Sequence, residues 1–191
     1  MIRRVERLSL LSICFCLLTL TRKNVVGSGP SNDCTTVLPS FMIPIFSSAP
    51  GMIAQSSMTF LVEQEPTDGY FCDCLISFVM PAVFGRCQLE LSIPQDDQNA
   101  TSGTSQICVW QVDTMLDPAC CWDNAPGVDE PLGTVFVNSN TTSEVVGSFA
   151  CQSSVSFRVG MRAGGSASCS FEQTSSEGFV LRYGCGPGYG S

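Results

Sequence analysis

The sequence predicts an all-β, disulfide-rich protein, an antiparallel β-sandwich or jelly roll of about nine strands. Short runs of β-branched, aromatic and aliphatic residues alternate with turn clusters along most of the chain, and helical periodicity is almost absent. The chain also has twelve cysteines and no histidine. Short strands with turn signals between them are typical of sandwiches and jelly rolls.

The first four predicted strands are separated by turn signals. Met58–Glu63 ends before the turn pair Asp68-Gly69, and Leu75–Met80 is rich in aliphatic and aromatic residues. Arg86–Ile93 alternates strictly, because every second residue from position 87 is apolar and those between are polar. Gln106–Asp113 follows a polar, turn-rich segment.

The last five predicted strands have the same character. Leu132–Asn138 and Glu144–Cys151 are rich in valine and phenylalanine, and Val155–Met161 alternates apolar with polar or small residues. Ala167–Gln173 and Gly178–Tyr183 each follow a turn rich in glycine or serine. The order of strands and turns therefore predicts one antiparallel domain.

The N-terminus has the pattern of a secretion signal. Three arginines among the first seven residues precede the apolar run Leu8–Leu20, which is short for a membrane span. We expect residues 1–27 to be a signal peptide, residues 28–185 to form a single β-sandwich domain and residues 186–191 to be a flexible tail. An uncleaved signal anchor is the alternative. The mature protein is expected to be secreted, extracellular and monomeric.

Charge and composition exclude several classes of function. Of nine basic residues five lie at or before Lys23, and of seventeen acidic residues only Glu6 does, so the mature chain has a net charge of −12. Such a surface repels nucleic acid and anionic lipid. The absence of histidine, and of lysine after Lys23, excludes Ser-His-Asp catalysis, histidine metal sites and lysine Schiff bases. We therefore expect a protein that is not an enzyme.

The cysteines predict a disulfide framework, because export favours oxidation. Adjacent Cys120 and Cys121 are expected to pair with different partners, and one bridge is expected among Cys151, Cys169 and Cys185. Their spacing leaves the pairing open. Zinc is the alternative, but the spacing lacks the usual two to four residues between ligands. The ten expected disulfide cysteines are Cys34, Cys72, Cys74, Cys87, Cys108, Cys120, Cys121, Cys151, Cys169 and Cys185.

Two tripeptides are glycosylation sequons, at Asn99 and Asn140, and both lie in predicted turns. We expect at least one to carry a glycan in a eukaryotic host. No other modification is predicted.

The only cofactor that the sequence favours is calcium, because carboxylates and turn carbonyls are its ligands. The candidate ligands are Asp113, Asp117 and Asp123, with the Asp96-Asp97 pair as a second candidate. Neither group has EF-hand spacing. Ordinary solvated loop acids are the alternative interpretation.

Trp122 is the candidate ligand-binding aromatic residue. It lies beside Asp123 and Asn124, whose polar side chains suit recognition of sugar hydroxyls while the indole stacks on the sugar ring. The alternative is that Trp122 plugs one end of the sandwich. Trp110 alternates with apolar neighbours and is expected in the core.

Four segments together resemble a known family. They are Gly85–Leu91, Ser105–Asp113, Cys121–Gly127, and Phe171–Gln173 followed by Gly178–Tyr183. In order and spacing these segments are similar to those of fungal secreted proteins that carry the ubiquitin-3-binding-protein C-terminal domain. More remotely, the layout is similar to jelly-roll carbohydrate-binding modules. The resemblance implies a β-sandwich and no established catalytic residues. Five cysteines are additional to the family's commoner pattern: Cys72, Cys74, Cys108, Cys120 and Cys169.

Three functions are compatible with these observations. The first is a secreted, non-catalytic module that binds polysaccharide at a cell wall. The second is a secreted effector or inhibitor that binds a host or competitor protein. The third, which the sequence favours least, is a glycoside hydrolase that uses two carboxylates.

Overall fold

The computed structural model describes residues 34–81, 85–93, 101–102, 105–137, 143–162 and 164–185, with the backbone alone at 101, 102 and 105. These residues form twelve strands and one 3₁₀ turn at Trp122–Asn124. Within these ranges no helix has the length and apolarity needed to cross a bilayer. The strands are β1 Thr35–Val37, β2 Phe41–Phe46, β3 Thr59–Glu65, β4 Tyr70–Val79, β5 Arg86–Ser92, β6 Thr101–Ser102, β7 Ser105–Val112, β8 Gly133–Val137, β9 Ser143–Ala150, β10 Ser154–Met161, β11 Ala167–Glu172 and β12 Gly178–Tyr183.

Some sequence predictions lie outside the described residues. These are the signal peptide at 1–27, the tail at 186–191, the Asp96-Asp97 pair and the glycosylation sites Asn99 and Asn140.

The strands form two antiparallel sheets, which confirms the predicted sandwich. The smaller sheet has the order β1-β12-β5-β9. The larger sheet has the order β6-β11-β3-β4-β10-β7-β8, and β2 also pairs with β4. All nine predicted strands are present, and β1, β2 and β6 are additional.

The main core lies between the two sheets and contains aromatic contacts across them. Phe60 in β3 lies 5.1 Å from Phe179 in β12, measured between ring centroids. Phe149 in β9 meets Phe157 in β10 edge to face at 5.5 Å. The period-2 pattern of β5 and β10 places their apolar residues in this core, as the sequence predicted.

A second, smaller core covers the outer face of the large sheet. Strand β4 is buried on both faces from Cys72 to Phe78, which explains why most of its residues are apolar. Strand β2 tolerates Pro44, because apart from one bridge at Ser57 it pairs only with β4 and is otherwise an edge strand. The second core consists of Ile43, Ile45, Leu75, Val112, Leu116 and Cys120, with Phe41, Ala54, Trp122 and Ala125 packed against it.

The observed cysteine pairing corrects the prediction that ten cysteines form five disulfides. Among the described cysteines two disulfides form, Cys34–Cys185 and Cys87–Cys151, so no bridge joins two of Cys151, Cys169 and Cys185. In the antiparallel register, the β4, β7 and β11 cysteines all lie opposite residues other than cysteine. Register depends on long-range strand pairing, which cysteine spacing does not reveal. Within the described ranges, six cysteines are free and buried: Cys72, Cys74, Cys108, Cys120, Cys121 and Cys169.

These thiols are expected to be inert in the folded protein. Burial raises the pKa of Cys74 and of Cys169 to about 12, and the reactive form of cysteine is the thiolate. With protein that lacks residues 1–27, a thiol-reactive disulfide reagent at pH 8 should therefore give almost no signal in the native state and six thiols in the denatured, unreduced state. Finding no thiols after denaturation would show that the remaining cysteines are bridged.

Candidate binding site

A groove of about 400 Å³ lies where β7 ends, between residues 111–114 and the loop from 124 to 130. Three of its lining residues, Asp113, Asp129 and Glu130, have exposed carboxylates, and none of the nine is basic. We call it the acidic groove. Its nine lining residues are Gln111, Val112, Asp113, Thr114, Asn124, Pro126, Gly127, Asp129 and Glu130.

The far wall of the acidic groove is attached to the large sheet through Arg158 on β10. The Arg158 Nε donates to Asp73 Oδ2 at 2.7 Å, and its Nη1 donates to the Pro126 carbonyl at 3.1 Å. The Arg158 guanidinium also lies over the Trp122 ring, 4.9 Å from the ring centroid. One side chain thus connects β4, the 3₁₀ turn and the groove wall, which pre-organises the wall.

Asp73 is the buried centre of this arrangement, with a side chain only 1% exposed. Its second oxygen, Oδ1, lies 3.8 Å from Arg162 Nη1, beyond hydrogen-bond distance. The Arg162 guanidinium in turn lies over Trp110, 4.6 Å from the ring centroid. Two of the four arginines that follow Lys23 therefore balance one buried carboxylate, as a buried charge requires.

Gly160 on β10 gives the Asp73 carboxylate its space, since a Cβ at position 160 would overlap that carboxylate. We expect Gly160→Ala to lower the free energy of unfolding by about 1–3 kcal/mol, the usual cost of overpacking. Urea unfolding followed by tryptophan fluorescence measures this. Gly164→Ala is the control, because nothing lies within 4 Å of its added Cβ. Equal stability of the two variants would contradict the assigned packing.

Trp122 is better described as a structural residue than as a sugar platform. It packs against the second core on the apolar side, and Arg158 covers one face of its ring. A sugar stacks on an open aromatic face, and that face is occupied. The interpretation of Trp122 as a plug at one end of the sandwich fits this geometry better.

The two polar neighbours of Trp122 have different roles. Asp123 is exposed, and its backbone N–H donates to the Pro50 carbonyl at 3.1 Å, which joins two loops. Asn124 lines the acidic groove, and its Oδ1 accepts a hydrogen bond from the Cys121 N–H at 2.7 Å. Of the predicted trio, Asn124 alone lines this groove.

The predicted calcium ligands are not brought together. Asp113 lines the groove, whereas Asp117 accepts a hydrogen bond from the Ala119 N–H at 2.8 Å within its own turn. Asp123 lies near Gly51, in contact with the other loop. In the part of the chain that the structure describes, no three Cys, Asp or Glu side chains form a group suited to a metal ion.

Sequence reasoning missed most of the groove. Gln111, Pro126 and Gly127 lie in segments that carry the family resemblance but had no predicted role, and neither had Asp73, Asp129 or Glu130. The available signals were an aspartate between two cysteines in an apolar strand, and a proline- and glycine-containing segment rich in carboxylates just after Trp122. An acidic residue inside a buried strand needs a cationic partner, and the chain has few arginines that could serve.

Comparison with known families identifies the domain. The family model of the ubiquitin 3 binding protein But2 C-terminal domain matches residues 37–177. The chain belongs to this family. The match covers the strands from β2 to β11, so this But2 domain includes the acidic groove and its supporting arginine within the matched region. A comparison with curated proteins found no match.

Proposed function

We propose that this But2 domain is a secreted, non-enzymatic module that binds another protein through the acidic groove. The observation that carries the proposal is the groove itself: it is open, about 400 Å³ in volume, and its far wall is attached to buried structure by Arg158. Ligand sites are commonly concave, pre-formed and of this size. The family's name, which refers to a binding protein, agrees with this role.

The surroundings of the groove suit a protein partner. Met115 directly follows the lining residue Thr114 and is 77% exposed. It also lines a second cavity, of about 50 Å³, which shares three residues with the groove. Protein interfaces combine an apolar anchor with a polar rim, and Met115 beside the groove carboxylates provides both. A polysaccharide would use exposed aromatic faces, and Trp122 has one face covered.

The proposal of a non-enzymatic role is supported by the character of the groove. A glycosidase holds two carboxyl groups at a fixed separation in a cleft, one of them kept protonated by its surroundings. The three groove carboxylates are exposed instead. Secretion is supported by the sequence of residues 1–27 and is compatible with the two disulfides.

A groove-blocking variant tests the proposal. Gly127→Trp should fill the groove at little cost to folding, because nothing lies within 4 Å of a Cβ at position 127. Gly164→Trp is the matched control at an equally open glycine between β10 and β11. Wild type and the two variants would each be immobilised and exposed to extracellular fluid from the protein's natural setting. In a separate experiment, each would be mixed with insoluble chitin, β-glucan and cellulose.

We expect wild type and Gly164→Trp to capture the same protein partner, Gly127→Trp to lose it, and all three to stay in solution with the polysaccharides. Retention on a polysaccharide, competed by soluble oligosaccharide, would overturn the proposal in favour of glycan binding. Capture that is the same in Gly127→Trp as in wild type would overturn the assignment of the site.

A further inference from the structure

Among the residues that the structure describes, one edge of β7 has no strand partner at the acidic groove. On one side, β10 pairs with β7 from Ile107 to Val112. On the other side, β8 pairs only as far as Val109, and the last backbone bond there runs from the Leu132 N–H to the Val109 carbonyl. Among the described residues, no strand continues along this edge beyond Val109.

The side to which the backbone groups of β7 point follows from the alternating directions of N–H and C=O groups along a strand. In an antiparallel ladder, alternate residues direct their N–H and C=O groups to the same edge. The Val109 carbonyl bonds toward β8, so the backbone groups of Gln111, two residues later in β7, also point to that side. Gln111 is itself one of the residues that line the acidic groove. No described residue forms a backbone bond to Gln111 there.

The side chains of the groove define the charge of a complementary ligand. Asp113 lies next to the unpaired edge, and Asp129 and Glu130 lie on the opposite wall. With three carboxylates and no basic residue in the lining, the groove favours a ligand that carries positive charge on side chains spaced along its length.

We propose that the occupant of the acidic groove is an extended segment of the partner that carries lysine or arginine and adds a short strand to the edge of β7. Its backbone pairs with Gln111, as in other cases of strand addition to an open sheet edge. Its cationic side chains meet Asp113 on one side and Asp129 and Glu130 on the other. This inference rests on the proposed protein-binding function and specifies the form that the partner takes.

Synthetic peptides test the inference through their backbone. The probe is a fluorescent ten-residue peptide of alternating lysine and valine, and binding is measured by anisotropy. Two isomers of it carry N-methyl groups, one on every lysine amide and the other on every valine amide. They have the same charge, but each lacks the hydrogen-bond donors of one strand edge.

We expect the parent peptide to bind wild type and Gly164→Trp, to bind Gly127→Trp at least tenfold more weakly, and to weaken as salt is added. One N-methyl isomer should bind like the parent. The other should bind about tenfold more weakly, the loss expected from one or two backbone hydrogen bonds. Equal binding of both isomers, or equal binding to Gly127→Trp and wild type, would show attraction by charge alone and overturn the inference.

The failure of this inference can be distinguished from failure of the proposed function. If no peptide binds while partner capture still requires an open groove, strand addition is wrong and the protein-binding groove stands. If capture too is unaffected by Gly127→Trp, both are wrong.

Discussion

Asp73→Ala is expected to lower the free energy of unfolding by about 3–5 kcal/mol, the usual cost of removing one partner from a buried ion pair. Arg158 would keep its charge with its side chain only 11% exposed and without the acceptor of its 2.7 Å hydrogen bond. Urea unfolding followed by the fluorescence of the two tryptophans, both of which contact arginines of this network, measures the change.

The double variant Asp73→Leu with Arg158→Met is the control for this result. Replacing both charges by apolar groups of similar size is often neutral, so the double variant should be more stable than Asp73→Ala. It should still bind partner poorly, because Arg158→Met removes the donor to the Pro126 carbonyl that holds the groove wall. A loss below about 1 kcal/mol in Asp73→Ala, the range of exposed ion pairs, would contradict the burial of this pair.

Phe157→Ala is the second substitution with a large expected effect. Phe157 is fully buried and contacts Phe78 within the large sheet and Phe149 on the small sheet, at 5.9 and 5.5 Å. Loss of the ring should leave a cavity between the sheets and cost about 3–5 kcal/mol. Thermal and urea unfolding measure the cost.

Phe136→Ala removes the same ring from the outside of β8, where the side chain is 57% exposed. Its effect should stay within about 0.5 kcal/mol, as for most surface substitutions. If Phe157→Ala and Phe136→Ala had similar effects, the two sheets would not pack around Phe157 as the structure has them.

Most of the fold could be predicted from the sequence because strand periodicity is a local property. The alternating apolar residues of Arg86–Ile93 and Val155–Met161 all lie in the main core, as their period-2 pattern predicts. Strand β2 was missed because Pro44 normally argues against a strand, and it is tolerated here only at an edge. Strands β1 and β6 are two or three residues long and have no recognisable period.

The disulfides and the site could not be predicted in the same way, because both depend on which strands become neighbours. Cys87 and Cys151 lie 64 residues apart in sequence, and nothing local joins them. Asp73 and Arg158 lie 85 residues apart in sequence. They meet only because β4 pairs with β10. The sequence predicted other roles for Asp113 and Asn124, namely calcium binding and sugar binding. The two residues line the same groove because the loop after β7 folds back.

The sequence also contained a local signal for Trp122 that allowed two interpretations. Its polar neighbours suggested ligand contact, and the alternative was that the indole plugs one end of the sandwich. In the fold, Arg158 covers one face of the ring, which favours the plug. Where a tryptophan and an arginine are far apart in sequence, only the fold shows whether the ring is available.

Hydrogen exchange of the protein with and without its captured partner tests the central claim most directly. If the acidic groove is the binding site and the partner adds to the edge of β7, the amides of Gln111 and Asp113 should exchange more slowly in the complex. Amides in the β1-β12-β5-β9 sheet should be unchanged. Protection confined to that smaller sheet, with Gln111 and Asp113 exchanging as in the free protein, would contradict the account.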